Sequence, residues 1–382
     1  MAVDTPPVAP SADPESKPEA SRDPSSSQAR LVWRGFRRHR VATVALVVVV
    51  AIYLVALLAD VLATSDPNQV DGDYAYAPPQ AVEWGARGPD GTWGPYVTGL
   101  QQVRDEQTLA VEYVRDESVR IPLGFFVQGY DYRLLGLIDS DFHIFGPMDP
   151  EEQAYLWGAD RSGRDQFSRI VVGTRISMTV GLVGVAMAFV LGLVLGGISG
   201  YVGGKADTVI QRIVEFFMSI PTLPLWLGLA AALPPWWGPL QRYFAITVIL
   251  AIIAWTDLAR VVRGRFLAMR QEEFVTAAVL DGNSTASVIG RHMLPSFTSH
   301  LIASLTLSIP SMILAETALS FLGLGLQAPV ISWGVLLQDA QNVRVITTAP
   351  WLMLPGVAVV IAVMALNFVG DGLRDAADPY KH

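Results

Sequence analysis

The sequence predicts an all-α membrane protein with six transmembrane helices and a small extracytoplasmic lobe, containing some β structure, after the first helix. Of the 382 residues 51% are hydrophobic and only 16% are charged, which is too apolar for a soluble domain of this length. Six apolar stretches each approach the length of about 20 residues that a helix needs to cross a bilayer. They are Val41–Ala63, Ile176–Ser199, Val209–Leu233, Phe244–Val262, Phe297–Leu319 and Trp351–Phe368.

Basic residues beside the first stretch predict the orientation of the chain. Residues 1–29 lack the large apolar side chains that a fold requires, so we expect a disordered cytoplasmic tail. Residues 30–65 hold a basic segment and the first helix; the positive-inside rule keeps that segment cytoplasmic, and six helices return residues 372–382 to the same side. A secretory signal peptide is the alternative, since Val61-Leu62-Ala63 resembles a cleavage site, but roughly forty polar residues precede the stretch. The basic residues are Arg30, Arg34, Arg37, Arg38 and Arg40.

Residues 66–174 are too long for a simple connection and predict the extracytoplasmic lobe. Two alternating runs, 109–114 and 119–123, flank Arg115-Asp-Glu-Ser and predict two short strands around a turn. Residues 163–175 then alternate apolar and basic side chains at helical spacing. This pattern predicts an interfacial helix that lies on the outer surface of the membrane.

The other five predicted helices occupy residues 175–371 and include carboxylates that are costly inside a bilayer. These carboxylates are Glu215, Asp257 and Glu316. Arg212 and Arg260 stand close to the first two in sequence, so we expect ion pairs at the cytoplasmic interface. Glu316 and the adjacent Thr317 are candidates for the translocation path, and a hydrogen bond between helices is the equal alternative.

The loop of residues 263–295 is longer than a connection between neighbouring helices requires. Its first part, about Phe266–Leu280, consists of helix-forming residues, and Gly282 supplies a left-handed stop. Asn283 or Ser284 can cap a second short helix. The loop therefore predicts a helix–turn–helix on the cytoplasmic face of the membrane.

Small residues in this loop resemble the ATPase-coupling motif of ABC importer permeases. In that motif two alanines, a glycine four residues later and a Leu-Pro pair thirteen residues beyond the glycine recur. The alanines allow close approach of a partner, and an exposed aromatic or branched side chain can fill its groove. The resemblance assigns ATPase coupling to Glu273, Phe274, Thr276, Ala277, Ala278, Gly282, Ile289, His292, Leu294 and Pro295.

Further segments resemble the dipeptide, oligopeptide and nickel branch of these permeases, and in particular its second-type subunit. Thr276 and His292 stand where glutamate and isoleucine are common in the wider family. The lobe segments 125–130 and 132–138 resemble an extended subgroup that includes microcin-type peptide permeases. The other matching segments are 163–169, 175–177, 315–325, 332–334 and 367–379.

The resemblance implies the type I ABC importer permease fold in a bacterial inner membrane. It also implies a heterodimer with a homologous permease, two cytoplasmic ABC ATPases that carry ATP and Mg, and an extracytoplasmic solute-binding protein. Membrane lipid surrounds such a subunit, and no nucleic acid partner is expected. The imported molecule stays open between a peptide, a modified peptide, an oligosaccharide and a metal chelate.

The residue inventory favours a transport subunit over an enzyme. The chain has no cysteine, and it contains neither H-E-x-x-H nor G-x-S-x-G. The glycine-rich segment 200–206 fails as a phosphate loop, because Ser199 stands where glycine is needed and Ala206 where Ser or Thr is needed. His292 and His300 lack a second ligand at metal-binding spacing, so no metal site is expected.

Two other function classes remain open from the sequence alone. An ion-coupled secondary transporter would predict an inverted repeat and several buried carboxylates near the middle of the membrane. A membrane scaffold or sensor would bind a ligand with its outer lobe and signal through its inner loop.

Overall fold

The computed structural model describes residues 28–86, 92–104 and 111–377. The predicted tail 1–29 lies outside the described residues except for its last two positions, and so do the last five residues of the predicted tail 372–382. Within the described part, a helical bundle carries one four-stranded sheet after its first long helix. The predicted fold class is therefore confirmed.

Thirteen α-helices run through the described residues. They are α1 (Gln28–Arg38), α2 (Arg40–Leu57), α3 (Ala59–Leu62), α4 (Gln166–Val202), α5 (Gly204–Ser219), α6 (Thr222–Ala231), α7 (Pro239–Met269), α8 (Glu273–Leu280), α9 (Thr285–Ser287), α10 (Leu294–Phe321), α11 (Trp333–Gln338), α12 (Val343–Thr348) and α13 (Leu354–Ala377). By length and composition α2, α4, α7, α10 and α13 can each cross a membrane. Helices α5 and α6 form a sixth candidate that is bent by 87°.

The bend corrects the prediction of one continuous helix over Val209–Leu233. Helix α5 ends at Ser219, and α6 begins at Thr222. Between them Pro221 has no N–H to donate, and its ring disfavours helical backbone in the residue before it. Ile220 accordingly has extended backbone, which turns the chain.

The predicted interfacial helix over residues 163–175 is wrong as a separate element. Most of that segment forms the first turns of α4, a single helix of 37 residues. Asp165 caps it by accepting hydrogen bonds from the backbone N–H groups of Phe167 and Ser168. Arg169 is buried and lies 3.5 Å from Asp160, so the basic residues face acidic partners and not a lipid surface.

The core is built where four of the long helices meet. Val49 of α2, Met178 of α4, Ile313 of α10 and Leu366 of α13 belong to one buried cluster. Helix α4 also packs along α7, and a Cβ added at Gly196 would lie only 2.5 Å from the carbonyl oxygen of Ala259. The close crossing of these two helices therefore depends on a residue without a side chain.

The sheet is antiparallel in the order β1-β2-β3-β4. Its strands are β1 (Val82–Ala86), β2 (Trp93–Arg104), β3 (Val111–Leu134) and β4 (Ile138–Pro147). The predicted turn at Arg115-Asp-Glu-Ser lies inside β3, where Arg115 and Asp116 pair with Leu100 and Gly99. The register then shifts between Thr98 and Gly99, so an irregularity within a long strand takes up the turn-forming residues.

We call the end of the bundle that carries this sheet the sheet end and the opposite end, with residues 270–295, the loop end. Helix α4 runs from the sheet end, where Asp165 caps it, to the loop end. Near its loop end Asp207 of α5 is paired with Arg263 of α7 at 2.6 Å. Ser199 of α4 hydrogen-bonds to the same carboxylate, which ties three helices together.

Candidate functional site

The loop end contains the predicted helix–turn–helix, with one change of boundary. Residues 266–269 continue α7, and a separate helix, α8, starts only at Glu273. Gly282 has a φ of +79°, which is the left-handed stop that the sequence predicts. Ser284 caps α9 by accepting a hydrogen bond from the N–H of Ser287. Helix α9 continues through a π-helical turn, Val288–Met293, into α10, with Pro295 in the first turn.

Helix α8 has one face packed on its own chain. Val275 is 1% exposed and Ala278 is 3% exposed. They belong to a buried cluster that includes Phe266 of α7, Val288 and Met293. The small side chain of Ala278 packs against the body of the same subunit, and its assignment to ATPase coupling stays a prediction.

The opposite face of α8 is open. Glu273, Thr276, Ala277 and Leu280 are exposed and recur at three- and four-residue spacing, so they share one side of the helix. Leu280 is 82% exposed and was missed in the sequence, although it stands three residues after Ala277. An exposed leucine beside a small residue is suited to contact a partner protein.

Some of the other predicted coupling residues pack against the buried cluster, and others are exposed. Ile289 and Leu294 pack against the same cluster as Ala278, and His292 is half-buried. Phe274 is 43% exposed at the side of α8, and Pro295 is exposed. The structure therefore brings the predicted residues together, but only part of the set faces outward. No group of three or more metal-ligating side chains occurs in the described part of the chain.

Glu316 lies inside the protein. It is fully buried and accepts hydrogen bonds of 2.8 Å from the hydroxyls of Ser320 and Ser332. Ser332 in turn caps α11. Thr317, which follows Glu316 in the sequence, is only 8% exposed. Glu316 hydrogen-bonds α10 to the segment that begins α11, which favours the alternative of a hydrogen bond between helices; a place of Glu316 and Thr317 at the translocation path stays a prediction.

A cavity of about 350 Å³, lined mainly by apolar side chains, lies between α6, α7 and α10. Its polar lining comprises Thr222, Asp257, Ser304, Ser308 and Ser311. The three serines follow one another at four and three residues along α10, so they share one face. That spacing was the signal in the sequence, and it was missed because serine is common in membrane helices.

Glu215 and Asp257 are each paired with the arginine that stands close to it in the sequence, as predicted. Asp257 lies 3.1 Å from Arg260, and Glu215 lies 2.8 Å from Arg212. Asp257 also lines the cavity. A face with a carboxylate and several hydroxyls is costly against lipid, so this face of the bundle fits a protein partner or a water-filled path.

A junction of charged residues fastens the lobe to the bundle at the sheet end. Arg175 of α4 pairs with Asp60 of α3 at 2.8 Å. Asp160 accepts from Arg164 at 2.7 Å. Asp165 accepts from the Ser168 N–H at 2.8 Å. The lobe is held to the first turns of α4 by Arg169, which donates to the carbonyl of Pro67 at 2.9 Å and lies 3.5 Å from Asp160.

This junction predicts a dependence of stability on pH. Burial raises the pKa of the Asp165 carboxyl from 3.8 to about 6, against hydrogen bonds from Ser168, Phe167 and Thr64 that lower it. Because the folded state holds the proton more tightly than the unfolded chain, stability falls as pH rises from about 4 to about 6, by on the order of 3 kcal/mol. The measurement is the unfolding temperature of the purified transporter and of its Asp165→Asn variant. We expect the difference, wild type minus variant, to fall as pH rises from about 4 to about 6.

The asparagine variant is a matched control because it keeps the cap but carries no charge. The subtraction also removes the contribution of Asp339, whose pKa is raised by burial. A difference between the two proteins that stays constant with pH would contradict the assignment to Asp165.

A bundle that can cross a membrane five or six times, with a cavity between its helices and a helix that presents one free face, fits a membrane transport subunit. A family model for the binding-protein-dependent transport system inner membrane component matches residues 192–381. A second model, the N-terminal TM domain of oligopeptide transport permease C, matches residues 27–79. The chain belongs to this family of ABC transporter permeases.

Curated relatives agree with this family. The oligopeptide transport system permease protein OppC of Haemophilus influenzae is 38% identical over 243 residues, which are 63% of this chain and 75% of that protein. The OppC of Escherichia coli is 39% identical over 242 residues, 63% of this chain and 78% of that protein. The dipeptide transport system permease protein DppC of Bacillus subtilis is 37% identical over 232 residues, which are 60% of this chain and 70% of that protein.

Among solved structures, a chain of the MetNI methionine ABC transporter in an inward-facing conformation matches with a TM-score of 0.43 and 20% identity. The match covers 55% of this chain and 97% of that chain. Members of this permease family are transport subunits of ABC importers, and the ATPase is a separate subunit. Family membership sets aside the secondary transporter and the sensor.

Proposed function

We propose that this chain is one permease half of an ATP-driven importer that moves peptides or similar small solutes into the cytoplasm. The observation that carries the proposal is the division of α8 into two faces. Val275 and Ala278 fasten the helix to the bundle, while Ala277 and Leu280 stay exposed. A helix held in this way transmits force from a protein that docks on its free face.

The proposed assembly has a homologous permease as the second half of the path. Two cytoplasmic ATPases bind ATP and Mg, and this chain itself binds no cofactor. A solute-binding protein delivers the ligand at the sheet end. The relatives are named for oligopeptide and dipeptide transport, which supports peptides as the substrate class.

The proposed orientation puts the loop end and both termini in the cytoplasm of a bacterial cell. Helix α1 packs against α13 through the buried Phe36, so the N-terminal basic segment and the end of α13 lie together. Arg34, Arg37, Arg38 and Arg40 are exposed there. Their positive charges support this side as the cytoplasmic one.

The packing of α8 supplies a mechanism for coupling. Phe266 belongs to α7, and Met293 immediately precedes α10; both belong to the buried cluster that includes Val275 and Ala278 of α8. A displacement of α8 by the ATPase therefore moves α7 and α10, which flank the cavity. Opening this cavity alternately to the two sides is a two-state transition of the kind that importers use.

A cysteine at the cavity tests both the path and the function. In the complete reconstituted transporter, Ser308→Cys should take up labelled peptide only with ATP and should lose uptake after treatment with a water-soluble thiol reagent. Its reaction should be at least about tenfold faster than that of Ile302→Cys, because a thiol in apolar surroundings is not ionised.

Ile302 is a matched control, because it is 47% exposed but lies on another side of α10. The chain has no native cysteine, so cysteine-free partner subunits leave a single reactive site. Equal reaction at the two positions would contradict the path. Absence of ATP-dependent peptide uptake by the unmodified transporter would contradict the function.

A further inference from the structure

The hairpin between β3 and β4 ends in an exposed apolar tip. The tip, residues 134–138, reads Leu-Leu-Gly-Leu-Ile and has no charge. Leu135 is 52% exposed, Leu137 is 84% exposed and Ile138 is 62% exposed. The N–H groups of Gly136 and Leu137 donate to the carbonyls of Arg133 and Leu134, both at 3.0 Å, so part of the turn's backbone polarity is satisfied internally.

The conformation of the tip is unusual for leucine. Leu135 has a φ of +51°, a left-handed conformation that glycine and asparagine adopt with less strain. A turn that only faced water would be built at lower cost with one of those residues. The leucine side chain therefore has a use that offsets the strain, and burial of its apolar surface is such a use.

The hairpin runs along the bundle toward the membrane. Beside Val127, a Cβ added at Gly146 would lie 3.3 Å from the carbonyl oxygen of Thr64, and Thr64 is held at the first turn of α4 by Ser168. Farther along β3, the pKa of Tyr130 is raised first by burial and then by the charges of Asp60 and Asp66. Both strands pack against α3, which joins the sheet-end terminus of α2.

The length of the hairpin reaches the bilayer. Asp60 stands three residues beyond Leu57, the last residue of the membrane helix α2, or about 4.5 Å along a helix. Leu134 follows Tyr130 by four residues, which span at most about 13 Å of strand. A tip that continues in this direction extends up to about 8 Å past the end of α2, the depth typical of interfacial insertion.

The residues just above the tip suit the headgroup region. Arg133 and Asp139 form an ion pair at 2.7 Å, which neutralises the two charged side chains nearest the tip, while Asp131 and Asp141 lie two residues farther from it. Tyr132 donates a hydrogen bond of 2.7 Å to the carbonyl of Phe142, and its ring packs against His143. Amphipathic aromatic rings are enriched at this level of membranes.

We propose that the β3–β4 tip inserts among the lipid acyl chains of the leaflet at the sheet end. The insertion gives the lobe a second attachment to the membrane, beside the junction at α4. It fixes the tilt of the sheet relative to the bilayer, so the lobe meets a docking partner at a constant height. The inference does not depend on which solute is carried.

Depth-dependent quenching tests the proposal directly. A single cysteine at Leu137 is labelled with bimane in the complete transporter, without a binding protein, in nanodiscs of phosphatidylcholine. We expect acyl chains carrying bromine to remove most of its emission, and aqueous iodide to have little effect. Val114→Cys is the matched control, since it is 52% exposed near the other end of β3. Its label should respond to iodide only.

Two results would overturn the proposal. If iodide quenches the label at Leu137 as strongly as it quenches the label at Val114, the tip lies in water. Insensitivity to both quenchers would mean that protein, such as the second permease, covers the tip. Ile138→Cys repeats the measurement at a neighbouring position, so that a local disturbance by one label does not decide the outcome.

Discussion

Replacement of Ala277 by glutamate is expected to uncouple ATP hydrolysis from uptake and to weaken docking of the ATPase. Ala277 lies on the exposed face of α8, where the proposed partner approaches closely. A carboxylate buried there without a partner costs about 3–5 kcal/mol, which is roughly a hundredfold or more in affinity. The measurements are ATPase binding to the permease pair in nanodiscs and ATP-dependent peptide uptake.

The adjacent alanine provides the contrast that makes this result specific. Ala278→Glu introduces the same side chain one residue later, at a position that is 3% exposed and faces the permease itself. That variant should lower the thermal stability of the permease, whereas Ala277→Glu should leave it unchanged. Ala277→Ser, which adds one small atom, should retain coupled transport. Normal coupling by Ala277→Glu would refute the docking surface.

Truncation of Glu316 to alanine is expected to destabilise the permease strongly. The change leaves the hydroxyls of Ser320 and Ser332 without their acceptor and opens a cavity in a fully buried site. Lost hydrogen bonds and an unfilled cavity together cost on the order of 3–5 kcal/mol. The measurement is the unfolding temperature of the purified permease pair in detergent.

Glu316→Gln separates this structural role from a role in substrate recognition. Glutamine keeps an acceptor oxygen and almost the same volume, so we expect near-normal stability and an unchanged range of imported peptides. A Glu316→Gln protein that folds normally but selects different peptides would instead support a place of Glu316 at the path.

The membrane helices could be predicted because their signal is local. About twenty apolar residues bounded by charges are sufficient to cross a bilayer, whatever the rest of the chain does. The bend between α5 and α6 was harder to predict from the sequence, since a proline inside an apolar stretch can either kink a helix or end it. Its outcome depends on whether neighbouring helices satisfy the freed backbone groups.

The two faces of α8 show where sequence reasoning stops. Ala277 and Ala278 are chemically identical, and the coupling motif names both. Which of them faces outward depends on the rotation of α8 about its axis, and packing in one buried cluster with Phe266 and Met293, from other parts of the chain, fixes that rotation. The same limit applies to Glu316, whose acceptor role depends on Ser332, sixteen residues away.

The lobe was the least predictable part for a related reason. Arg115-Asp-Glu-Ser has the composition of a turn, but pairing with β2 keeps these residues within β3. Pairing between strands is a long-range interaction, and the local sequence carries only part of that information. The polar spacing in 163–175 was likewise interpreted as an affinity for lipid, although Asp160 is the partner of Arg169.

The uninterrupted course of α4 constrains how the two ends of the subunit can move. Its 37 residues form a rod of about 55 Å, and a tilt of about 5° around its centre displaces each end by roughly 2.4 Å in opposite directions. One end carries the Thr64 and Asp60 contacts of the lobe, and the other meets Asp207 and α7. A change of helix angle driven from the proposed nucleotide-hydrolysing side therefore reaches the proposed solute-receiving side as a rigid-body movement, without a separate relay.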